Sequence, residues 1–149
     1  MSAYTRLLAT HQWLYQASGG RVGHRLLGVP TLLLTARGRR TGKLRTVALV
    51  YARDGDDLLV VASNGGNDKP PAWLLNLSAA PTVNIRVGRR QYRATARIVR
   101  PDDDAYDRLL ALCDAANRDR YSAYQRMTSR PIPIIALSPQ AAPTAKDDR

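Results

Sequence analysis

The stretch RTVALVYARDGDDLLVVA, residues 45–62, decides the fold of this chain. Apolar and other side chains alternate over Arg45–Arg53, with the period of two that a half-buried β-strand requires. Asp54-Gly55 is a strong turn signal, and Leu58–Ala62 is a second apolar run just after it. The pattern therefore predicts a β-hairpin formed by Arg45–Arg53 and Leu58–Ala62.

A second hairpin is predicted downstream, where Thr82–Val87 and Gln91–Val99 alternate on either side of Gly88-Arg89-Arg90. The connections within both hairpins are too short to hold parallel crossovers. A Rossmann-like or flavodoxin-like fold is therefore disfavoured. Antiparallel hairpins broken by helices indicate the α+β class, as a small barrel or curled sheet.

Turn signals and apolar periodicity place the other elements and indicate a single domain over residues 1–149. They are an amphipathic helix over residues 1–18, a strand at Thr31–Thr35, a helix capped by Asp68 and stopped by Pro81, a helix opened by Pro101 and Asp102–Asp104, a short helix at Tyr121–Met127, and a strand at Ile132–Leu137. Pro133 predicts that this last strand lies at a sheet edge, because proline cannot donate to a ladder. Residues 139–149 are predicted to be a flexible tail.

The charge of this chain is strongly one-sided, with 23 Lys and Arg against 12 acidic residues and a net charge of +11. Residues 1–53 contain no acid at all, which favours an anionic partner. Nucleic acid is a weak candidate, since only Tyr92 lies among the bases of the second hairpin and offers a ring for stacking. The basic N-terminal helix is compatible with peripheral contact to an anionic membrane or with packing on the barrel. Without a signal peptide or spanning segment, the expected compartment is the cytoplasm.

Several kinds of catalytic site are excluded by residue content. The chain has no glutamate, so no glutamate acid/base pair can exist. Its single cysteine, Cys113, lies on a predicted helix core face and is interpreted as a packing residue. His11 and His24 lie outside any Cys/His/Asp cluster, so no metal site is predicted.

Three segments remain as candidate binding elements. Gly38–Arg45 is a basic loop with two glycines, and arginine forks with bare backbone N–H groups suit phosphate and carboxylate oxygens. Val61–Gly66 runs from a strand into a glycine turn that can approach a planar ring. Trp73 and Leu77 are four residues apart and pack on the core, while Asn76 is angled away and can line a cleft.

The order and spacing of these segments resemble the deazaflavin-dependent nitroreductase family, from about Gly28 to Pro139. The matching motifs are Leu32–Thr35, Gly38–Arg45, Tyr51–Gly55, Ala62–Gly66, Pro71–Trp73, Asn76-Leu77 with Pro81, and Arg130–Ile134. The resemblance implies a split β-barrel of six to seven strands over residues 30–138. It also implies coenzyme F-420, an anionic 8-hydroxy-5-deazaflavin with an oligoglutamate tail, as cofactor.

The resemblance further implies a division of labour among residues. The phosphate and tail would contact Arg39, Arg40 and Arg45 with Thr41, and the strand Arg45-Thr46-Val47-Ala48 would pass along the cofactor. The ring would lie on Val61, Ala62 and Ser63 beside Asn64, with Trp73 and Asn76 closing another side. Tyr121 and Tyr124 match tyrosines that cover the substrate side, and with Ser63 they are the candidate proton donors to a small planar acceptor.

This chain departs from the best-known nitroreductase pattern on the substrate side. Val50 and Arg118 stand where tyrosines are expected, Ala48 where a proline is common, and Asn64 where a lysine is common. Quinones, enones and nitro compounds are therefore all candidate acceptors. Two alternatives remain open: a split barrel that binds FMN or haem, and a protein that binds a deazaflavin or lipid without turnover.

Overall fold

A computed structural model describes residues 29–140 and contains one seven-stranded antiparallel sheet. Its strands are β1 (Thr31–Arg37), β2 (Leu44–Val50), β3 (Ala52–Asp54), β4 (Asp57–Val61), β5 (Thr82–Val87), β6 (Arg90–Val99) and β7 (Ile134–Pro139). Its helices are α1 (Ala72–Ala79), α2 (Tyr106–Ala116) and α3 (Arg120–Gln125), and a short 3-10 turn covers Asn64–Gly66. The strands are ordered β2-β1-β5-β6-β7-β4-β3.

The two edge strands of this sheet are neighbours along the chain, since Tyr51 alone separates β2 from β3. A flat sheet would place these edges several strand widths apart, so the sheet must curl until they meet. The backbone N–H of Tyr51 donates to the carbonyl of Pro30 at 3.1 Å and fixes the corner. The predicted split barrel is confirmed.

Apolar residues on alternate positions face two different cores, as the period of a strand requires. The inner core holds Leu34, Val60 and Ile85, and helix α1 closes it with Trp73 and Leu77. The outer core lies beneath α2, which packs on β3, β4 and β7, and α3 packs against α2 and the 3-10 turn. Its buried members include Leu59, Val61, Tyr106, Leu109, Cys113, Tyr121, Ile134 and Ala136.

The first predicted hairpin is shorter than the sequence indicated. Arg45–Arg53 is not one strand, because its first part pairs with β1 and its last part with β4. Tyr51 is the corner where the chain passes from one partner to the other. The second hairpin, β5 with β6, is confirmed.

The edge position predicted for the last strand is wrong, because β7 lies between β6 and β4. Pro133 precedes the strand and only accepts a hydrogen bond there, from the N–H of Ala62 at 3.1 Å. Its missing N–H therefore disturbs no ladder.

Two predicted helix starts are also corrected. Asp68 does not cap α1, which begins after Pro71; its carboxylate instead accepts from the hydroxyl of Thr128 at 2.7 Å. The Pro101 segment forms turns, in which Asp103 accepts from the N–H of Ala105, before α2 begins.

The helix predicted over residues 1–18 and the tail after Gln140 lie outside the described residues, and so does the membrane contact expected of that helix. Within residues 29–140, every helix is too short or too polar to cross a membrane.

Candidate cofactor cleft

The basic loop between β1 and β2 is held tightly by its own backbone. The N–H of Gly38 donates to the carbonyl of Lys43 at 2.7 Å, and the N–H of Gly42 donates to the carbonyl of Gly38 at 2.9 Å. A Cβ at Gly38 would lie 3.0 Å from the Lys43 carbonyl oxygen, so a side chain there would require the loop to shift by a few tenths of an ångström. Arg39 and Arg40 on this loop, and Arg45 on β2, are exposed residues.

A cleft of about 720 Å³ opens between this loop and helix α1. The predicted cofactor-binding residues that line it are Arg39, Arg40, Thr41, Arg45, Thr46, Val47, Trp73 and Asn76, together with Gly38, Leu44 and Ala72. Three guanidinium groups and no carboxylate therefore face the cleft, which makes it attractive to a ligand with several negative charges.

Asn76 ties the two walls of the cleft together. Its side chain is buried, and its carbonyl oxygen Oδ1 accepts from the backbone N–H of Arg39 at 3.1 Å and from Arg39 Nη1 at 3.0 Å. The sequence predicted that Asn76 lines a cleft, but it gave no reason to pair it with Arg39. Asn76 therefore fixes the direction in which that guanidinium points.

The other predicted ring-binding residues do not line this cleft. Val61 belongs to the outer core, Ala62 to the inner core, and Ser63 is buried at the end of β4. Asn64 has a positive φ of 46° and donates from Nδ2 to the carbonyl of Lys69. Ala48 is half-buried on β2.

Arg130 holds the segment from Ala62 to Asn67 in place, a role that the sequence did not predict. Its guanidinium donates to the carbonyls of Ala62 at 3.3 Å, Ser63 at 3.2 Å and Asn67 at 3.2 Å. The sequence could not predict these contacts, because every residue has a main-chain carbonyl and these lie more than 60 positions away.

The candidate tyrosines lie on α3, beside the glycine turn. Their ring centroids are 6.3 Å apart in an edge-to-face arrangement. Tyr121 is buried in the outer core and Tyr124 is half-buried against it. Helix α3 approaches the turn so closely that a Cβ on Gly66 would lie 3.1 Å from the Tyr124 carbonyl oxygen.

Asp114 anchors the start of α3 and is a second residue that the sequence analysis missed. Its Oδ1 accepts from the backbone N–H groups of Tyr121 at 3.1 Å and Ser122 at 3.2 Å, and Oδ2 accepts from the Ser122 hydroxyl. This buried carboxylate satisfies N–H groups that a helix start otherwise leaves unpaired. It fixes the helix that carries both tyrosines.

Two other predictions can be placed in the structure. Cys113 is buried in the outer core, and burial raises the pKa of its thiol to about 12, so the thiolate needed of a nucleophile is scarce at neutral pH. In the part of the chain between residues 29 and 140, no group of three or more metal-ligating side chains is assembled.

Comparison with known proteins identifies the family. Residues 7–139 match the family model described as F-420H2-dependent quinone reductase. An F-420H2-dependent quinone reductase of Mycobacterium tuberculosis is 46% identical over 134 residues, which are 89% of this chain and 90% of the relative.

Two solved structures are similar to this chain. An F-420-H2 dependent reductase, FDR-A, is 32% identical with a TM-score of 0.65, covering 73% of this chain and 94% of its own. A domain-swapped dimer is 28% identical with a TM-score of 0.69, covering 91% and 100%. The predicted resemblance to deazaflavin-dependent reductases is confirmed, and the chain belongs to the F-420H2-dependent quinone reductase family.

Proposed function

We propose that this chain reduces a quinone with coenzyme F-420H2 and that the cleft beside the basic loop holds the anionic part of the cofactor. The observation that carries this proposal is the lining of the cleft, which presents three arginines and no carboxylate in a chain of this family. A phosphate and a chain of carboxylates are the ligands that such a lining selects.

In this proposal the residues of the cleft would contact the cofactor in a definite order. Arg39, Arg40 and Arg45 would bind its phosphate and tail, with Thr41 beside them on the loop. Thr46, Val47 and Ala48 run from the loop along β2. Tyr51 alone separates β2 from β3 and Ala52 pairs with Leu59, so the end of β4 returns near β2. The side chains of Val61 and Ala62 are buried in opposite cores, so the backbone of Val61–Asn64 would support the ring near Ala48, with Trp73 and Asn76 at its side.

When bound, the reduced cofactor supplies a hydride to the acceptor. The protein has three tasks: to hold both partners, to exclude water and to provide a hydrogen bond to the oxygen on which negative charge develops. A quinone that gains a hydride and one proton becomes a hydroquinone, so one protein hydroxyl near the acceptor suffices. Tyr121, Tyr124 and Ser63 are the candidate donors.

Removal of single hydroxyl groups tests these roles. In Tyr121→Phe and Tyr124→Phe the ring packing is kept, and we expect at least one variant to reduce a quinone or enone about tenfold more slowly. Cofactor affinity should stay nearly the same, since neither ring lines the cleft. Steady-state rates at saturating cofactor measure this effect.

The outcomes separate the candidates. A loss confined to Ser63→Ala assigns the hydrogen bond to the serine and leaves the tyrosines as packing residues. Full rates in all three variants would contradict a protein donor and leave the proton to solvent.

The proposed cofactor is tested by titrating the ligand-free protein with F-420, FMN and haem while following absorbance or fluorescence. We expect F-420 to bind most tightly, because its tail adds negative charges that the arginines can contact. Tighter binding of FMN or haem would overturn the proposal. Tight F-420 binding with no oxidation of F-420H2 by quinones, enones or nitroaromatics would identify a carrier instead.

A further inference from the structure

The positive charge of Arg130 lies against the segment from Ala62 to Asn67 without an acid to neutralise it. The side chain is half-buried, and its Nε is buried with no hydrogen-bond partner among residues 29–140. Neither of the two ion pairs formed within those residues includes it. A guanidinium that is partly removed from water and has no counter-charge keeps more of its field than one on the surface.

The hydrogen bonds of this guanidinium go to main-chain oxygens. Nη1 donates to the carbonyl of Ala62 at 3.3 Å and Nη2 to the carbonyl of Ser63 at 3.2 Å, and these carbonyls belong to consecutive peptide groups. In a trans peptide group the N–H points away from the carbonyl. The N–H groups of Ser63 and Asn64 therefore point away from Arg130, and in the part of the chain that the structure describes neither has an acceptor.

These two peptide groups carry the effect of the charge to the other side of the segment. A positive charge at a carbonyl oxygen polarises the peptide group and strengthens the hydrogen bond that its N–H can donate. Ser63 has an αR backbone at φ −77° and ψ −30°, and Asn64 has a positive φ of 46°. This succession turns neighbouring N–H groups toward one side. The surface opposite Arg130 is therefore electropositive.

The other charged side chains of the segments around Arg130 are exposed. They are Asp68 and Lys69 after the glycine turn and Arg126 at the end of α3. The carboxylate of Asp68 accepts from the hydroxyl of Thr128 and forms no ion pair with Arg130. Tyr124 is the titratable residue of α3 that lies nearest in the chain. Because water and salt screen exposed charges, Arg130 supplies the charge that is felt most strongly across this segment.

We infer that Arg130 is a positioning residue that favours the ionised form of the deazaflavin ring. This role rests on the proposed function, which places the ring against the backbone of Val61–Asn64. The ring bears an acidic hydroxyl group, and a nearby positive potential stabilises the anion that this group forms. The charge of the anion is shared across the conjugated ring, so either end of the ring can respond. Arg130 does not line the cofactor cleft and would act through the two peptide groups.

The test is an absorbance titration of F-420 with pH, performed on the free cofactor and on the cofactor bound at saturation. We expect the unaltered protein to lower the pKa of the ring hydroxyl by about one unit. Arg130→Lys keeps the charge and should retain at least half of this shift. Arg130→Gln keeps a donor but loses the charge, and most of the shift should disappear.

Arg126→Gln is the matched control. It removes the same charge from an exposed position four residues earlier in the chain, so the pKa of the bound ring should stay within about 0.2 units of its value in the unaltered protein. Arg130 also holds the segment in place, so urea unfolding of both Arg130 variants shows whether they fold. The unaltered protein gives an independent measurement, because a shift caused by a half-buried charge should largely survive about 0.5 M salt.

Four results would overturn this role of Arg130. They are a bound ring with the pKa of free F-420, an equal shift in Arg130→Gln and the unaltered protein, an equal loss of the shift in the Arg126 control, and loss of the shift at high salt. In all four F-420 still binds, so the proposed function stands. Failure of the unaltered protein to bind F-420 would instead contradict the proposed function itself.

Discussion

Arg45→Ala is expected to weaken binding of F-420 by about 1.5–3 kcal/mol, the cost of one lost charge-assisted contact. Arg45 is the second residue of β2 and lines the cleft, and its side chain is exposed. The maximal rate at saturating cofactor should change little, because the phosphate and tail are remote from the carbon that donates the hydride. Titration of the ligand-free protein and steady-state kinetics measure the two quantities separately.

Arg97→Ala serves as the control for Arg45, since it removes the same charge from an exposed site outside the cleft. A large loss of rate with unchanged cofactor affinity in Arg45→Ala would contradict the assignment. It would mean that the basic loop lies at the reacting end of the ligand.

Gly66→Ala is expected to lower the free energy of unfolding by about 2–4 kcal/mol, the sum of positive-φ strain and overpacking. Gly66 has a φ of 82°, and a Cβ there would lie 3.0 Å from Met127 Cβ and Sδ and 3.1 Å from the Tyr124 carbonyl oxygen. The Tyr124 oxygen belongs to the backbone of α3 and cannot rotate away. Urea unfolding measures the change.

Gly65→Ala is a closely matched control for Gly66. Its φ is 64°, but a Cβ there would meet nothing within 4 Å, so only backbone strain of about 1 kcal/mol is expected. Equal losses of unfolding free energy in the two variants would show that α3 shifts easily to accommodate the added methyl group. The contact between the glycine turn and the tyrosine helix would then not be rigid.

The parts of the fold that the sequence predicted well are local. The β5–β6 hairpin depends on alternation around one short turn, and its strands were placed almost to the residue. The central position of β7 was not predictable, because its partners β4 and β6 lie far back in the chain and no local pattern encodes them. Pro133 led to the wrong prediction of an edge strand, because the sequence does not distinguish a proline just before a strand from one within it.

The candidate site divides in the same way. The charge and glycine content of the basic loop predicted an anion-binding element. The structure places its arginines around one cleft. Asn76, Asp114 and Arg130 organise the site through hydrogen bonds to backbone groups or to a distant arginine. Main-chain groups are the same in every residue type, so the sequence does not indicate these contacts.

The central position of β7 has a consequence for synthesis on the ribosome. Strands β1, β2, β5 and β6 can pair as they emerge. Strands β3 and β4 can pair with each other, but only β7 hydrogen-bonds them to the rest of the sheet. The hairpin that leads into Ser63 would therefore wait, tethered at Tyr51, until the chain beyond Ile134 leaves the exit tunnel. The proposed cofactor-binding surface would be completed by β7, the last strand in the described part of the chain. A nascent chain released before β7 would therefore lack the proposed ring side of that surface while already displaying the arginines of the basic loop.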